Sequence, residues 1–334
     1  MWRFLLAFLL FASACSFNKP NPPIKLTGEA QGTYYSIIYF DSQERDFQFE
    51  IDSLLDAFDE SVSLWVPESI LSKVNNNVED VILDEYFINN FNLSKKVANE
   101  TNGAFDFTVG SLVKAWGFGF DHHKQVDSII IDSLLKIVGY KKVDIVNGRV
   151  IKQNPNTKFD FNAIAQGYSV DMIGEFFDNM QISNYLIDIG GEVMARGQKP
   201  NNTPWKVGIE KPAKDPNNQR DLTAIIKLEN QSVATSGNYR KFFVKDGVKY
   251  SHTINPKTGY PASNNLLSVS IITSNTALAD AYATACMVMG LEKSIKFTEN
   301  RKDLEAFFIY SNENGEYDNY STNGFSSLII NEFD

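Results

Sequence analysis

The chain is poor in cysteine, in histidine and in contiguous positive charge. Only Cys15 and Cys286 are cysteines, and only three of the 334 residues are histidines. Two cysteines cannot build a thiolate zinc site. Cys286 lies among Ala283, Ala285, Met287 and Val288 and reads as a small buried apolar residue. No Lys/Arg block offsets the formal net charge of -10. Nucleic acid is thereby excluded as a partner, because phosphate backbones need a basic face. A nucleotide is not excluded, since backbone amides and a metal can hold it locally. Internal repeats, low-complexity tracts, a Walker A loop and a dinucleotide glycine fingerprint are all missing.

What is present begins with a leader. Arg3 precedes an apolar run, Phe4 to Phe11, then Ala12-Ser13-Ala14 and Cys15. A charged start, a short apolar core and small residues describe a secretory signal at 1–14. The run is too short to span a bilayer as a mature helix. Cys15 directly after Ala14 resembles the lipobox of bacterial lipoproteins, in which the cysteine carries lipid. An ordinary signal peptide with an incidental cysteine is the alternative. Lipidation would leave Cys286 without a disulfide partner. Residues 15–27, with Pro20, Pro22 and Pro23, then read as the lipidated cysteine and an extended tether. Residues 28–334 are left for one large domain or two smaller ones. At 43% hydrophobic and 22% charged the chain has the composition to bury a sizeable core.

Thr33 to Phe40, Tyr185 to Ile189, Trp205 to Glu210, Thr223 to Leu228, Ser232 to Thr235, Phe242 to Val244 and Leu267 to Thr273 read as strands. Phe307 to Tyr310 and Ser327 to Ile330 read as closing strands. Helical spacing marks Asp46 to Phe58, Leu83 to Asn99, Ile129 to Val138, Ala165 to Met180, Thr276 to Gly290 and a segment near Glu292 to Glu299. The elements are interspersed without strict βαβ alternation. The expected fold is α+β, with mixed or antiparallel sheets and flanking helices.

The chemistry concentrates late in the chain. Asp280 and Thr284 fall at i and i+4, on one face of a helix rich in small residues. Two hard oxygen ligands suit magnesium, which takes few side chains and completes its octahedron with substrate phosphate. Spacing alone favours the plainer reading, an Asp that caps or solvates the helix and a Thr bonded back to a carbonyl. His252 opens His252-Thr253-Ile254-Asn255-Pro256 and is the natural acid or base, or a hydrogen-bonded structural histidine. His122 and His123 read as surface loop. Gly103-Ala104-Phe105-Asp106 allows close backbone approach to a ligand, with Asp106 facing a base or ribose, or it is a tight turn with a capping Asp. Asp160 to Tyr168 leads into a helix N-terminus that suits a diphosphate. Gly190-Gly191-Glu192 and Val233 to Gly237 either offer amides to phosphate oxygens or are plain turns. Trp65, Trp116 and Phe105 either stack on an aromatic ligand or pack in the core.

These segments, in this order from about Gly28 to Gly290, resemble the ApbE family of flavin transferases, which use FAD to attach FMN to protein threonines. The resemblance is carried by Gly103 to Asp106, Asp160 to Tyr168, Asp188 to Gly191, Val233 to Gly237, His252 to Pro256 with Thr258-Gly259, and Ala279-Asp280 with Thr284. It implies that Asp280, Thr284 and the Ala163 carbonyl hold Mg2+. It implies that Ala104, Phe105, Asp106, Asp160, Gln166 and Ile254 line the FAD site, with Gln31 and Trp65 at flavin or adenine. His252 would assist the acceptor hydroxyl. Gln166 stands where many members have Lys, Gln31 where Met is frequent and Trp65 near a frequent Tyr.

The implied partners are FAD and threonine-bearing, flavin-accepting subunits of membrane redox complexes. The implied location is the cell envelope, with a lipid anchor in the membrane and the domain on the periplasmic or extracytoplasmic side. Other readings are a magnesium-dependent FAD pyrophosphatase, a non-catalytic FAD-binding lipoprotein and a solute-binding lipoprotein.

Overall fold

The structure is a computed structural model that describes residues 22–117, 127–212, 221–238, 242–245, 248–251 and 253–333. Its frame is an eight-stranded sheet: β1 (Ile24–Ala30), β2 (Thr33–Tyr39), β3 (Tyr185–Ile189), β4 (Glu192–Arg196), β5 (Gln231–Gly237), β6 (Leu266–Thr273), β7 (Glu305–Ser311) and β8 (Tyr317–Ser321). Spatial order follows chain order, and every neighbouring pair is antiparallel. Five helices matter to the site: α1 (Gln48–Val62), α2 (Glu85–Glu100), α3 (Ala165–Asn179), α4 (Thr276–Met289) and α5 (Leu291–Glu299). The architecture is the expected α+β, with antiparallel sheets.

Both faces of the sheet are covered. On β7, Ala306 and Phe308 enter the main core with the helices, while Phe307 and Ile309 enter a second core. That second core rests on a three-stranded sheet of Trp205–Glu210, Leu222–Leu228 and Ile329–Glu332. A strand buried on both faces loses polar alternation. β6 accordingly has seven buried residues of eight and was legible as an apolar run. β8 reads Tyr-Asp-Asn-Tyr-Ser, lies at a sheet edge and carried no such signal.

Two boundaries differ from the sequence reading. β1 begins at Ile24, inside the stretch given to the tether, and pairs along its length with β2. The strand expected over Ser327 to Ile330 begins two residues later, as Ile329–Glu332, after a short helix at Asn323–Ser326. That strand joins the three-stranded sheet instead of closing the large one. Among the described residues no helix is long and apolar enough to cross a membrane. Cys286 is buried as expected, and burial pushes its thiol up to about 12.

Candidate active site

The site is organised by the crossing of α3 and α4. Ile164, at the cap position of α3, provides no side-chain acceptor for the first-turn amides. An unsatisfied helix N-terminus requires one. Asp280, from the first turns of α4, supplies it: its Oδ2 accepts from the Gly167 amide at 3.3 Å. The favour is returned by Asp171 on α3, whose oxygens accept from the amides of Thr276 and Ala277 at 2.7 and 2.9 Å. Each helix thus caps the other. The crossing is tight enough to require glycine, because a Cβ on Gly167 would stand 2.5 Å from the Thr276 carbonyl oxygen.

Three carboxylates meet here: Asp280 and Glu192 are buried and Asp171 is half-buried. Burial raises Asp280 above the usual carboxylate range, against the pull of the Gly167 amide, and nearby Asp171 adds to the rise. Burial also pushes Asp171 up, to about 6. Glu192 rises well above its ordinary value through burial first and then the charge of Asp280. Thr284, one turn beyond Asp280 on the same face, lies 3.1 Å from the Ser236 hydroxyl on β5. Ala163 sits half-buried in the turn immediately before α3.

Other expected segments converge on the same helix end. Gln166 donates its amide to the Ile189 carbonyl at 2.8 Å and to the Glu192 carboxylate. Gly190 makes room for this, since a Cβ there would lie 2.4 Å from Gln166 Nε2. The amides of Gly190 and Gly191 go to the Tyr34 carbonyl and the Asp188 carboxylate, at 3.0 and 2.9 Å. They therefore serve the turn. Gln31 occupies the β1–β2 hairpin tip with φ of 54°, beside Gly32 at 73°. That pair of positive φ values is the geometry of a tight two-residue hairpin. The Gln31 side-chain Oε1 lies 3.4 Å from the Ser169 hydroxyl on α3, which also reaches the Gln166 carbonyl at 2.7 Å, and Gln31 Nε2 is buried without a partner.

Asp160 is buried and raised by that burial, with the Asn162 amide on its Oδ1 at 2.9 Å. Its own amide bonds to Phe107 O at 2.8 Å, which sets the 103–110 loop against the entrance to α3. Asp106 accepts the Thr108 amide and hydroxyl on one oxygen and the Tyr140 amide on the other. Burial raises it despite these bonds. Ala104 and Phe105 belong to the main core.

Ile254 packs in a small third core with Leu112, Ile131 and Val138. Its loop closes through the Ile254–Pro261 bridge and a 2.7 Å bond from Trp116 Nε1 to the Gly259 carbonyl. The loop touches the glycine motif at Gly103, where a Cβ would meet Lys257 Cε at 3.9 Å. Trp65 is 61% exposed, in the turn after α1. His252, His122, His123 and Cys15 lie outside the described residues.

Asp280, Thr284 and the Ala163 carbonyl offer oxygen only, and the carboxylate is buried with an amide as its hydrogen-bond donor. That donor chemistry fits magnesium. Among the described residues no group of three or more His, Cys, Asp or Glu could hold a metal. The candidate set contains one such side chain, so its remaining positions belong to hydroxyl, carbonyl, phosphate and water. Sequence reasoning missed Asp171 and Gly167 as the crossing's reciprocal cap and spacer. It also missed the inward carboxylate of Glu192, whose signal was its place directly after two glycines.

Comparison with known proteins gives one consistent picture. The model of the ApbE family matches residues 31–308. An FAD:protein FMN transferase of Vibrio cholerae is 32% identical over 98% of both chains. One from Escherichia coli K12 is 30% identical over 98% of this chain and 97% of its own. The solved structure of flavin transferase ApbE from Vibrio cholerae superposes with a TM-score of 0.83 at 30% identity, covering 92% of this chain and all of the other. The apo flavinyl transferase ApbE of Pseudomonas stutzeri gives 0.84 at 28% identity, covering 95% of this chain and 99% of the other.

Proposed function

The chain belongs to the ApbE family, and from that premise we propose that it is an enzyme transferring FMN from FAD to a threonine of a partner protein. The observation that carries the reading is the convergence of separate motifs on the N-terminal end of α3, through Gly167–Asp280, Gln166–Glu192 and Ser169–Gln31. A helix N-terminus, with its positive dipole end, suits a diphosphate.

Asp280, Thr284 and the Ala163 carbonyl would hold magnesium, which when bound withdraws charge from the diphosphate. The acceptor hydroxyl attacks the phosphorus on the FMN side of FAD. A threonyl O–P bond forms, the P–O bond to AMP breaks, and AMP leaves with the electron pair. His252 takes the hydroxyl proton. Ala104, Phe105, Asp106, Asp160, Gln166 and Ile254 line the FAD site, with Gln31 and Trp65 at the ring systems. Most of the acceleration is positioning and charge stabilisation. Cys15 carries the lipid that holds the domain at a membrane, on the extracytoplasmic side. The acceptors are flavin-carrying subunits of membrane redox complexes.

The test uses FAD, Mg2+ and membrane flavoproteins from cells that lack this gene. An FMN-sized mass on one threonine, made by the wild type and lost in Asp280→Ala, is expected. Rapid release of FMN and AMP without any acceptor would instead make the protein an FAD pyrophosphatase. FAD binding without AMP under any condition would make it a non-catalytic carrier.

A further inference from the structure

The far half of the β1–β2 hairpin and one face of α1 enclose a cleft of about 940 Å³. The metal and FAD sets above touch it only at Gln31. Side-chain alternation explains the space. Leu26 is buried and Ala30 packs on the main core, so Gly28 and Ala30 are the last two positions of β1 on the helix side. Both are too small to fill the gap over α1. A Cβ on Gly28 would stand 2.5 Å from the Tyr35 ring, which passes beneath it. The Tyr35 hydroxyl donates to Asp52 and accepts from Gln48, tying the hairpin to the helix.

The helix side of the cleft is acidic. Asp52, Asp56 and Asp59 line it at helical spacing around Leu55. Among the described residues no Lys, Arg or His lines it, and the ion pairs use other carboxylates. The other side is a strand edge. β1 is the first strand of the sheet and, among the described residues, pairs only with β2. The two-residue hairpin makes Ala30 and Thr33 a hydrogen-bonded pair, as are Gly28–Tyr35 and Leu26–Ile37 two and four positions on. The backbone groups of Thr27 and Glu29 therefore point outward along the edge. At the inner end stands Gln31, its Nε2 buried without a partner, next to Ser169 of α3. The cleft is continuous there with the candidate active site.

We propose that this cleft docks an extended segment of the acceptor protein that carries lysine or arginine. The segment adds to the β1 edge as a strand, with main-chain bonds for affinity and cationic side chains over Asp56 and Asp59 for specificity. A threonine further along it then lies at the end of α3. The proposal rests on the transferase reading.

The test uses the full chain and a fluorescent peptide that alternates lysine and valine around one threonine, with glutamate in place of lysine as control. The lysine peptide is expected to bind about tenfold more tightly than the control and to slow amide exchange at Thr27 and Glu29. Asp56→Asn with Asp59→Asn should weaken its binding about tenfold, the loss of two exposed ion pairs. Glu313→Gln with Glu316→Gln removes as much charge from an exposed turn elsewhere and should change it by less than about twofold. If the first double variant fails to fold, the exchange pattern of the wild type decides alone. Equal weakening in both double variants means attraction to net charge only and overturns the proposal. Displacement of the peptide by saturating FAD makes the cleft part of the FAD site and also overturns it. So does exchange protection at Thr27 and Glu29 that grows with protein concentration alone, which makes the edge a contact between copies. Peptide binding as expected, with no FMN transfer to any acceptor, overturns the transferase reading instead.

Discussion

Helix α4 carries two polar clusters close together, one buried and one partly exposed, and they are built on opposite principles. Around Asp280 the partners are backbone amides and a neutral side chain, and the carboxylates are pushed up by burial. Two residues on, Tyr282 points into a cluster with a cation. Arg301 contacts Glu100 at 2.9 Å, Asp303 at 2.5 and 2.7 Å and the Tyr282 hydroxyl at 3.1 Å. Hydrogen bonding to Arg301 lowers Asp303. Burial alone would raise Glu100, but the bonds from Tyr282 and Arg301 outweigh it and Glu100 is lowered. One cluster is closed by the chain's own guanidinium, in the fork geometry that favours carboxylates. The other holds carboxylates raised by burial beside a helix N-terminus, with amide groups alone as their donors. The contrast teaches where a cation from solution has work to do.

The largest way to break the comparison is to part the two helices. Gly167→Ala puts a methyl 2.5 Å from one backbone atom of α4 and within 2.8 Å of two more. Backbone cannot rotate aside as a side chain can. A cost of about 3 kcal/mol, at the upper end for overpacking, is expected in denaturant unfolding. The Gly167–Asp280 bond should be lost with it, and FMN transfer should fall with the stability. A variant with wild-type stability and transfer would mean that the close crossing does not position the carboxylate.

The legibility of this crossing from sequence was uneven, for physical reasons. The helices themselves were readable, because their apolar residues recur at helical spacing. The i,i+4 relation of Asp280 and Thr284 was also readable, being a local property. What faced them was not. Asp171 and Asp280 are 109 positions apart, and their exchange of caps exists only after the helices cross. Glu192 resembled part of a phosphate-binding turn because two glycines precede it. Only the fold reveals that the amides of Gly190 and Gly191 are already engaged, by Tyr34 and Asp188, and that the carboxylate after them turns inward. β1 was hidden for another reason: Pro20, Pro22 and Pro23 lie just before it, and proline-rich composition reads as tether. The resemblance to a family supplied the grouping that local patterns could not.

The second test addresses the cation-holding cluster. Arg301→Met removes the guanidinium and leaves Glu100 and Asp303 without their partner. Both carboxylates are partly exposed, at 31% and 56% of their side chains, so solvent softens the loss. About 1–2 kcal/mol of stability should disappear, between the values for surface and buried pairs. The Mn2+ affinity of the site around Asp280 should stay within twofold of the wild type, because the two clusters are separately satisfied. A tenfold change in Mn2+ binding would mean that they form one electrostatic unit and that the comparison is false.

The smallest effect separates capping from charge within the first cluster. Asp171 is raised from its ordinary 3.8 to about 6, by burial first, while the Thr276 and Ala277 amides act to lower it. A carboxylate raised on folding binds protons more tightly in the native state. Its contribution is therefore fully present below the ordinary value and is lost as pH rises through about 6. Asp171→Asn cannot titrate, and its one carbonyl oxygen can cap fewer amides than a carboxylate. The lost hydrogen bond costs about 1 kcal/mol at every pH. The wild type should thus be the more stable protein at pH 4, and its advantage should shrink between pH 4 and pH 8. Urea midpoints measured across that range would decide it. A constant gap would mean that folding leaves the Asp171 carboxyl at its ordinary value, so that burial does not raise it.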